Sequence, residues 1–186
     1  MGNIKENILK MKDLSELMID LAYSALLLQD KRISAEVERM YKQVISLDQD
    51  TLKMIFKIRI HDEERIFFIE LADNVKDIAN TAVHISRQAY APKFPSLVKD
   101  ILTASDKRVI VKKISKDSIY AGKTIGEVKV STFTKARIIA IKRNEDWFFN
   151  INKLTPMASN DILVAIGNYE AEKLLNEYTA GKIRRI

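Results

Sequence analysis

Glu70, Asp73, Asp77, Asn80 and His84 recur at intervals of three and four residues. At ~100° per residue that spacing puts all five on one face of a helix. Glu16 and Asp20 repeat the four-residue carboxylate spacing earlier in the chain. Carboxylates one turn apart can share a cation, and a histidine one or two turns further on can join them. Like charges so placed repel by about 0.2–0.5 kcal/mol per pair unless something offsets them. A solvated helix face carries the same residue types, so spacing alone leaves both readings open. His61, in a His-Asp-Glu-Glu run, suits a cap or a solvated turn better than a ligand.

A second chemical candidate is the Lys142-Arg143 pair, which ends the apolar run Ile138–Ile141. A guanidinium there can meet an anion, or both charges can solvate a hairpin end. Ala121-Gly-Lys-Thr ends like a phosphate-binding loop, but that loop needs an earlier glycine five residues before Gly122, where Asp117 stands. No Gly-x-Ser-x-Gly, His-Glu-x-x-His or dinucleotide fingerprint is present. The chain has no cysteine, which removes disulfides, thiolate metal sites and a cysteine nucleophile. No catalytic constellation emerges, and the expectation is a protein that is not an enzyme.

The elements that must carry these residues follow from punctuation. Residues 3–91 contain neither glycine nor proline, whereas Pro92, Pro95 and four of the five glycines come later. So long an unbroken stretch reads as helix, with a boundary near 92–105. The expected division is a helical bundle over 1–91, a linker over 92–105 and a compact domain over 106–186. The first helix is expected over Asp13–Gln29, extending back towards Asn3, with a capping box from Asp13 and Glu16 and the stripe Leu14, Met18, Leu21, Ala25, Leu28. The second carries Val37, Met40, Val44, Leu47, Thr51, Ile55 and Ile58, with Ser34 as N-cap. The third carries Phe67, Leu71, Asn74 or Val75, Ile78, Ala82, Ile85 and Ala89. Short connections make the three antiparallel neighbours, and apolar faces this wide call for self-association.

Beyond 105 the pattern changes. Arg108–Ile114, Arg137–Arg143, Trp147–Ile151 and Asp161–Gly167 are rich in β-branched and aromatic residues and read as strands. Asn144-Glu-Asp supplies a hairpin turn, Thr124 and Glu127 have capping-box spacing for a short helix, and Asn168–Ala180 reads as a closing helix with Gly181 just past its end. The fold class is α+β in two domains: a three-helix bundle, then a small α/β domain.

Two resemblances attach to these segments. Ser15-Glu-Leu-Met-Ile-Asp-Leu-Ala-Tyr-Ser-Ala-Leu-Leu and Leu71-Ala-Asp-Asn-Val-Lys-Asp-Ile-Ala resemble the first and metal-motif helices of PhoU-like domains, over about residues 10–100. That resemblance implies a divalent or iron-type metal ion held by Glu16, Asp20, Asp73 and Asp77. The sequence departs from it at Ile69, where the motif has its first glutamate, and Glu70 lies one register away, which implies a weak site or none. Tyr120-Ala-Gly-Lys-Thr-Ile-Gly-Glu-Val, Ile138-Ile-Ala-Ile-Lys-Arg and Asn160-Asp-Ile-Leu-Val-Ala-Ile-Gly are similar, in order, to the TrkA-C domain, the C-terminal domain of RCK proteins, over about 105–181. Asn160-Asp161 replaces the usual Gly-Asp, and asparagine tolerates the left-handed turn needed there.

Together the resemblances imply a cytoplasmic, non-catalytic accessory protein of potassium or other cation transport. They imply a homodimer or higher even oligomer, a cation channel or transporter as partner, and a small anionic ligand such as a cyclic dinucleotide, with Lys142 and Arg143 as its candidate contacts. No cofactor is required. No nucleotide-binding half is read ahead of the TrkA-C-like segment, so nicotinamide binding is not expected. The alternative is a PhoU-like metal-binding adaptor in phosphate-uptake regulation. Net charge is +6, but the positive residues are scattered, so no nucleic acid is expected as partner. No secretory signal is read at the start, where Lys5, Glu6, Lys10, Lys12 and Asp13 break the apolar stretch. The apolar run Leu21–Leu28 is far shorter than the ~20 residues that span a bilayer.

Overall fold

A computed structural model describes residues 3–92 and 95–183; the Arg184-Arg185 pair lies outside the described residues. The chain divides into two compact units, 1–93 and 94–186.

The first unit is built from three long helices, α1 (Ile4–Leu28), α2 (Lys31–Ile55) and α3 (Asp62–Arg87), ending in a 3₁₀ turn at Gln88–Tyr90. All three pack pairwise, and among the described residues of this unit there is no strand. The helix begins at Asn3, the backward extension the sequence allowed, and not with a cap at Asp13. The Asn3 side chain accepts from Glu6 N at 2.9 Å, and the Glu6 carboxylate accepts from Asn3 N at 3.2 Å, a reciprocal capping box. Ser34 is not the cap of α2; Asp30 is, accepting from Arg32 N at 2.9 Å. Ser34 is fully buried and donates to Ser86 Oγ at 3.1 Å, which ties α2 to α3 through a hydrogen bond inside the bundle.

The third helix departs from its expected seam. Its buried residues are Ala72, Val75, Ala79, Ala82, Val83 and Ser86, while Phe67 and Ile78 remain 62% and 47% exposed. Small side chains let helix axes approach closely. Here they face inward, and the largest apolar residues of the helix do not.

The second unit contains α4 (Ser96–Ala104), β1 (Arg108–Lys113), α5 (Val130–Thr134), β2 (Arg137–Arg143), β3 (Asp146–Phe148), β4 (Ile162–Gly167) and α6 (Tyr169–Thr179). The segment 92–105, expected as a linker, thus includes a nine-residue helix. The sheet is antiparallel throughout, in the order β1-β4-β2-β3. Its central strands β2 and β4 are each buried over four successive residues, Ile138–Ile141 and Leu163–Ile166, as strands covered on both faces must be. A register shift between Ile138 and Ala140 interrupts their pairing.

Two expectations shift locally. Thr124 and Glu127 do form the reciprocal bonds of a capping box, Thr124 N to Glu127 Oε2 at 2.7 Å and Glu127 N to Thr124 Oγ1 at 3.3 Å. Residues 125–129 nevertheless form turns rather than a helix: Lys129 N closes a three-residue turn on Gly126 O, and the chain then takes a left-handed φ of 43° at Lys129. The third strand stops at Phe148 instead of reaching Ile151, and Ile151 N turns back on Phe149 O.

Gly181 follows α6 at φ +75°, and a Cβ there would lie 2.8 Å from Asp117 O. An L side chain in that conformation costs roughly 1–2 kcal/mol before any clash. Gly181→Ala is expected to lower stability by about 2 kcal/mol, read by urea unfolding followed through Trp147, the chain's one tryptophan. An unchanged midpoint would show that the α6 terminus relaxes freely.

Candidate functional site

Of the four carboxylates expected as metal ligands, Glu16 is exposed on α1 and pairs with Lys12 at 2.9 Å. Asp20, on the same helix, is buried. Asp73 and Asp77 are exposed on α3, as are Glu70 and His84. Among the described residues no three His, Asp or Glu side chains gather as a metal ligand set, so the expected convergence of Glu16, Asp20, Asp73 and Asp77 is not formed. Lys76 engages one of the four. Its ammonium donates to Asp73 and, at 3.3 Å, to Asp48 Oδ2 on α2. The protein supplies its own cation between Asp73 and Asp48. The hydrogen bond to Asp73 raises the Lys76 pKa above its ordinary value despite partial burial, and Asp48 adds to the effect. Asp48 was not singled out from sequence; a lone aspartate in the apolar stripe between Val44 and Thr51 was the available signal.

In the second unit Arg143 is the centre of a network. Its Nε and Nη2 donate to Asp161 Oδ1 and Oδ2 at 2.9 and 2.8 Å, a bidentate pair, and Nη2 also donates to Pro156 O at 3.0 Å. The guanidinium lies 5.5 Å from the ring centroid of Phe148. Asp161 is 1% exposed and also accepts from Ala158 N at 2.7 Å. Arg143 therefore clamps the β2–β3 hairpin to the loop that enters β4. The bond to Asp161 raises the Arg143 pKa further above its already high value. Lys142 contacts the exposed carboxylate of Glu145 at 3.6 Å. The two candidate ligand contacts thus differ: Arg143 is bound within the fold, and Lys142 faces only a surface partner. His61 stands at the N-cap position of α3 without a side-chain capping bond.

Ala121-Gly-Lys-Thr forms no phosphate cradle. Gly122 N donates to Met157 O and Met157 N to Lys123 O, so this segment is zipped to the 153–157 loop.

A four-stranded antiparallel sheet with a closing helix, held at one end by the Arg143–Asp161 clamp, defines a small α/β module. Residues 112–179 match the TrkA-C domain family, and this part of the chain is similar to that domain. No curated protein matches the chain in sequence. Among solved structures it is similar to the RCK_C domain dimer of S. agalactiae BusR in complex with c-di-AMP, at 24% identity over 39% of this chain and 95% of that one, TM-score 0.37. It is also similar to the RCK C domain of the potassium transport protein KtrA in complex with cyclic diadenosine monophosphate, at 24% identity over 46% and 94%, TM-score 0.35. S. agalactiae BusR in complex with its busAB-promotor DNA shows 14% identity over 91% and 97%, TM-score 0.37. With TM-scores below 0.5 these likenesses place no ligand on this chain. The first unit has the three-helix architecture expected for it, and no helix of the described residues is long and apolar enough to cross a membrane.

Proposed function

We propose that this chain is a non-catalytic regulatory protein of potassium or related cation transport, whose TrkA-C domain receives a small anionic ligand of the cyclic-dinucleotide class. The observation that carries the reading is the match of residues 112–179 to the TrkA-C family. The protein acts as a homodimer at the cytoplasmic side of a channel or transporter, and no metal is needed for this role. An effector regulates only by binding one of two arrangements more tightly than the other. Lys142, whose side chain is 21% exposed and meets the exposed Glu145 carboxylate at 3.6 Å, is the contact an anion can recruit. Arg143 already spends its fork on Asp161 and serves the fold.

Calorimetric titration of the full chain with cyclic di-AMP tests the ligand. Saturable binding that weakens about fivefold in Lys142→Ala, equivalent to ~1 kcal/mol, is the expected result. No binding by the wild type, or equal binding by the variant, removes Lys142 as a ligand contact. Affinity purification from native membranes tests the partner. Enrichment of a cation channel or transporter supports the reading, and enrichment of a phosphate transporter or of a promoter DNA fragment overturns it.

A further inference from the structure

The arginines of the first unit are Arg32, Arg39, Arg59, Arg65 and Arg87. Three of them are held by carboxylates of the same chain: Arg32 by Asp30 at 2.9 Å, Arg39 by Glu36 at 2.6 Å and Arg87 by Glu38 at 2.8 Å. Arg59 and Arg65 are not, and both line one groove where α2 turns into α3. The groove has a volume of about 480 Å³ and is walled by Ile58, Arg59, Ile60, His61, Glu64 and Arg65, a size that suits a small molecule. Arg65 makes no side-chain hydrogen bond among the described residues. Its Nε is buried without an acceptor, and the Asp62 carboxylate stands off at 3.9 Å, beyond hydrogen-bond reach. Among the described residues Arg59, His61 and Glu64 have no side-chain partner either, and all three are exposed.

The groups around the groove specify what fits it. A guanidinium that no carboxylate of its own chain engages is the natural receiver of a ligand's carboxylate. Two of them outweigh the single Glu64, so a carboxylate is drawn to their end of the groove, where His61 is a further donor. Glu64 repels a ligand of several negative charges and offers an ammonium its counter-ion. Ile58, 37% exposed, and the half-buried Ile60 present apolar wall that an aliphatic group can cover. Carboxylate, ammonium and aliphatic group occur together on one small skeleton in an apolar α-amino acid. We propose that this groove binds a free aliphatic amino acid, its carboxylate on Arg59 and Arg65, its ammonium on Glu64 and its side chain against Ile58 and Ile60. The site lies wholly within the first unit and is separate from the ligand contact at Lys142.

Calorimetric titration of the full chain with leucine is expected to give saturable binding. Isocaproate, which lacks the ammonium, and isoamylamine, which lacks the carboxylate, are each expected to bind at least about tenfold more weakly, and inorganic phosphate more weakly still. Arg59→Ala and Arg65→Ala are each expected to weaken leucine binding at least about tenfold, with circular dichroism verifying the helices. Arg39→Ala, whose side chain is held by Glu36, is expected to leave it unchanged. Glu64→Gln is expected to weaken leucine about fivefold and to leave isocaproate as it was, a split that a merely structural role would not produce. Arg59 holds no other side chain, so its variant keeps the test decisive even where Arg65→Ala unfolds. Absence of saturable leucine binding by the folded wild type, equal binding by Arg59→Ala, or isocaproate or phosphate bound as tightly as leucine would each overturn the assignment.

Discussion

Arg143→Ala is expected to lower the stability of the second unit by about 3 kcal/mol, the low end of what breaking a buried ion pair costs. Asp161 is buried to 1% exposure and receives two guanidinium bonds at 2.9 and 2.8 Å. Removing the arginine leaves a carboxylate with only the Ala158 amide, at 2.7 Å, to hold its charge. The low end applies because a third of the Arg143 side chain reaches solvent, and water can enter where it stood. The variant also frees Pro156 O and strips the cation from Phe148. Trp147 stands in β3 beside the clamp, so its fluorescence follows this unit during urea unfolding. Arg143→Lys should recover only part of the loss, since an ammonium cannot make the planar bidentate pair. A loss below about 1 kcal/mol would mean that the pair behaves as a surface ion pair. The same geometry governs ligand experiments: lost binding in Arg143→Ala would report a disturbed fold as readily as a lost contact, whereas Lys142→Ala leaves the clamp in place.

Much of the architecture could be read from residues because local and global signals agree. The absence of glycine and proline from 3–91 left helix as the only economical reading, and three helices fill it. In the second unit each strand has a β-branched run, and Gly181 marks the end of α6 in the left-handed conformation its position suggested. The misreadings share a cause. Asp13 and Ser34 have capping chemistry, but each sits inside a helix that Asn3 or Asp30 starts earlier, and a capping residue is chosen by where the chain turns. Phe67 and Ile78 outweigh alanine on any hydropathy scale, yet α3 turns its alanines inward, where backbone approach favours small side chains. Thr124 and Glu127 satisfy their motif, while the left-handed turn at Lys129 ends the helical path before it is established.

The candidate sites were less legible for a related reason. Spacing along one helix shows which side chains share a face, not what stands opposite. Arg143 could be seen to end a strand, but its partner Asp161 lies 18 residues away and meets it only because β4 pairs with β2 rather than with β3. An aspartate leading the apolar run Ile162–Ile166 was the one available sign, since a carboxylate entering a buried strand needs a cation. In the helical unit the stripe Glu70, Asp73, Asp77 was correctly placed on one face, and its exposure could not be told from spacing. The offsetting charge that repelling carboxylates require comes in part from Lys76, three residues from Asp73 and therefore next to it on the helix.

That position makes Lys76 the strongest test of the bundle. Lys76→Ala is expected to destabilise the helical unit by about 2–3 kcal/mol, the cost of leaving a buried polar charge without its partner. Asp48 is 5% exposed, and its Oδ1 already lacks a hydrogen-bond partner, so Lys76 at Oδ2 is its compensation at 3.3 Å. Loss of helical circular dichroism at lower urea than in the wild type, with the Trp147 transition unmoved, would locate the effect in the first unit. The pH dependence follows from the direction of the Lys76 shift. Its folded pKa lies above the ordinary 10.5, chiefly through Asp73 and then Asp48. The native state therefore holds that proton more tightly than the unfolded chain does, and the stabilisation is fully present below 10.5 and disappears as pH rises through the folded pKa. The gap between wild type and Lys76→Ala should accordingly be constant from neutral pH upward and close above 10.5. A gap that persists at high pH would assign the role of Lys76 to the packing of its aliphatic stem against α2. A gap that never appears would mean that water, not Lys76, offsets Asp48.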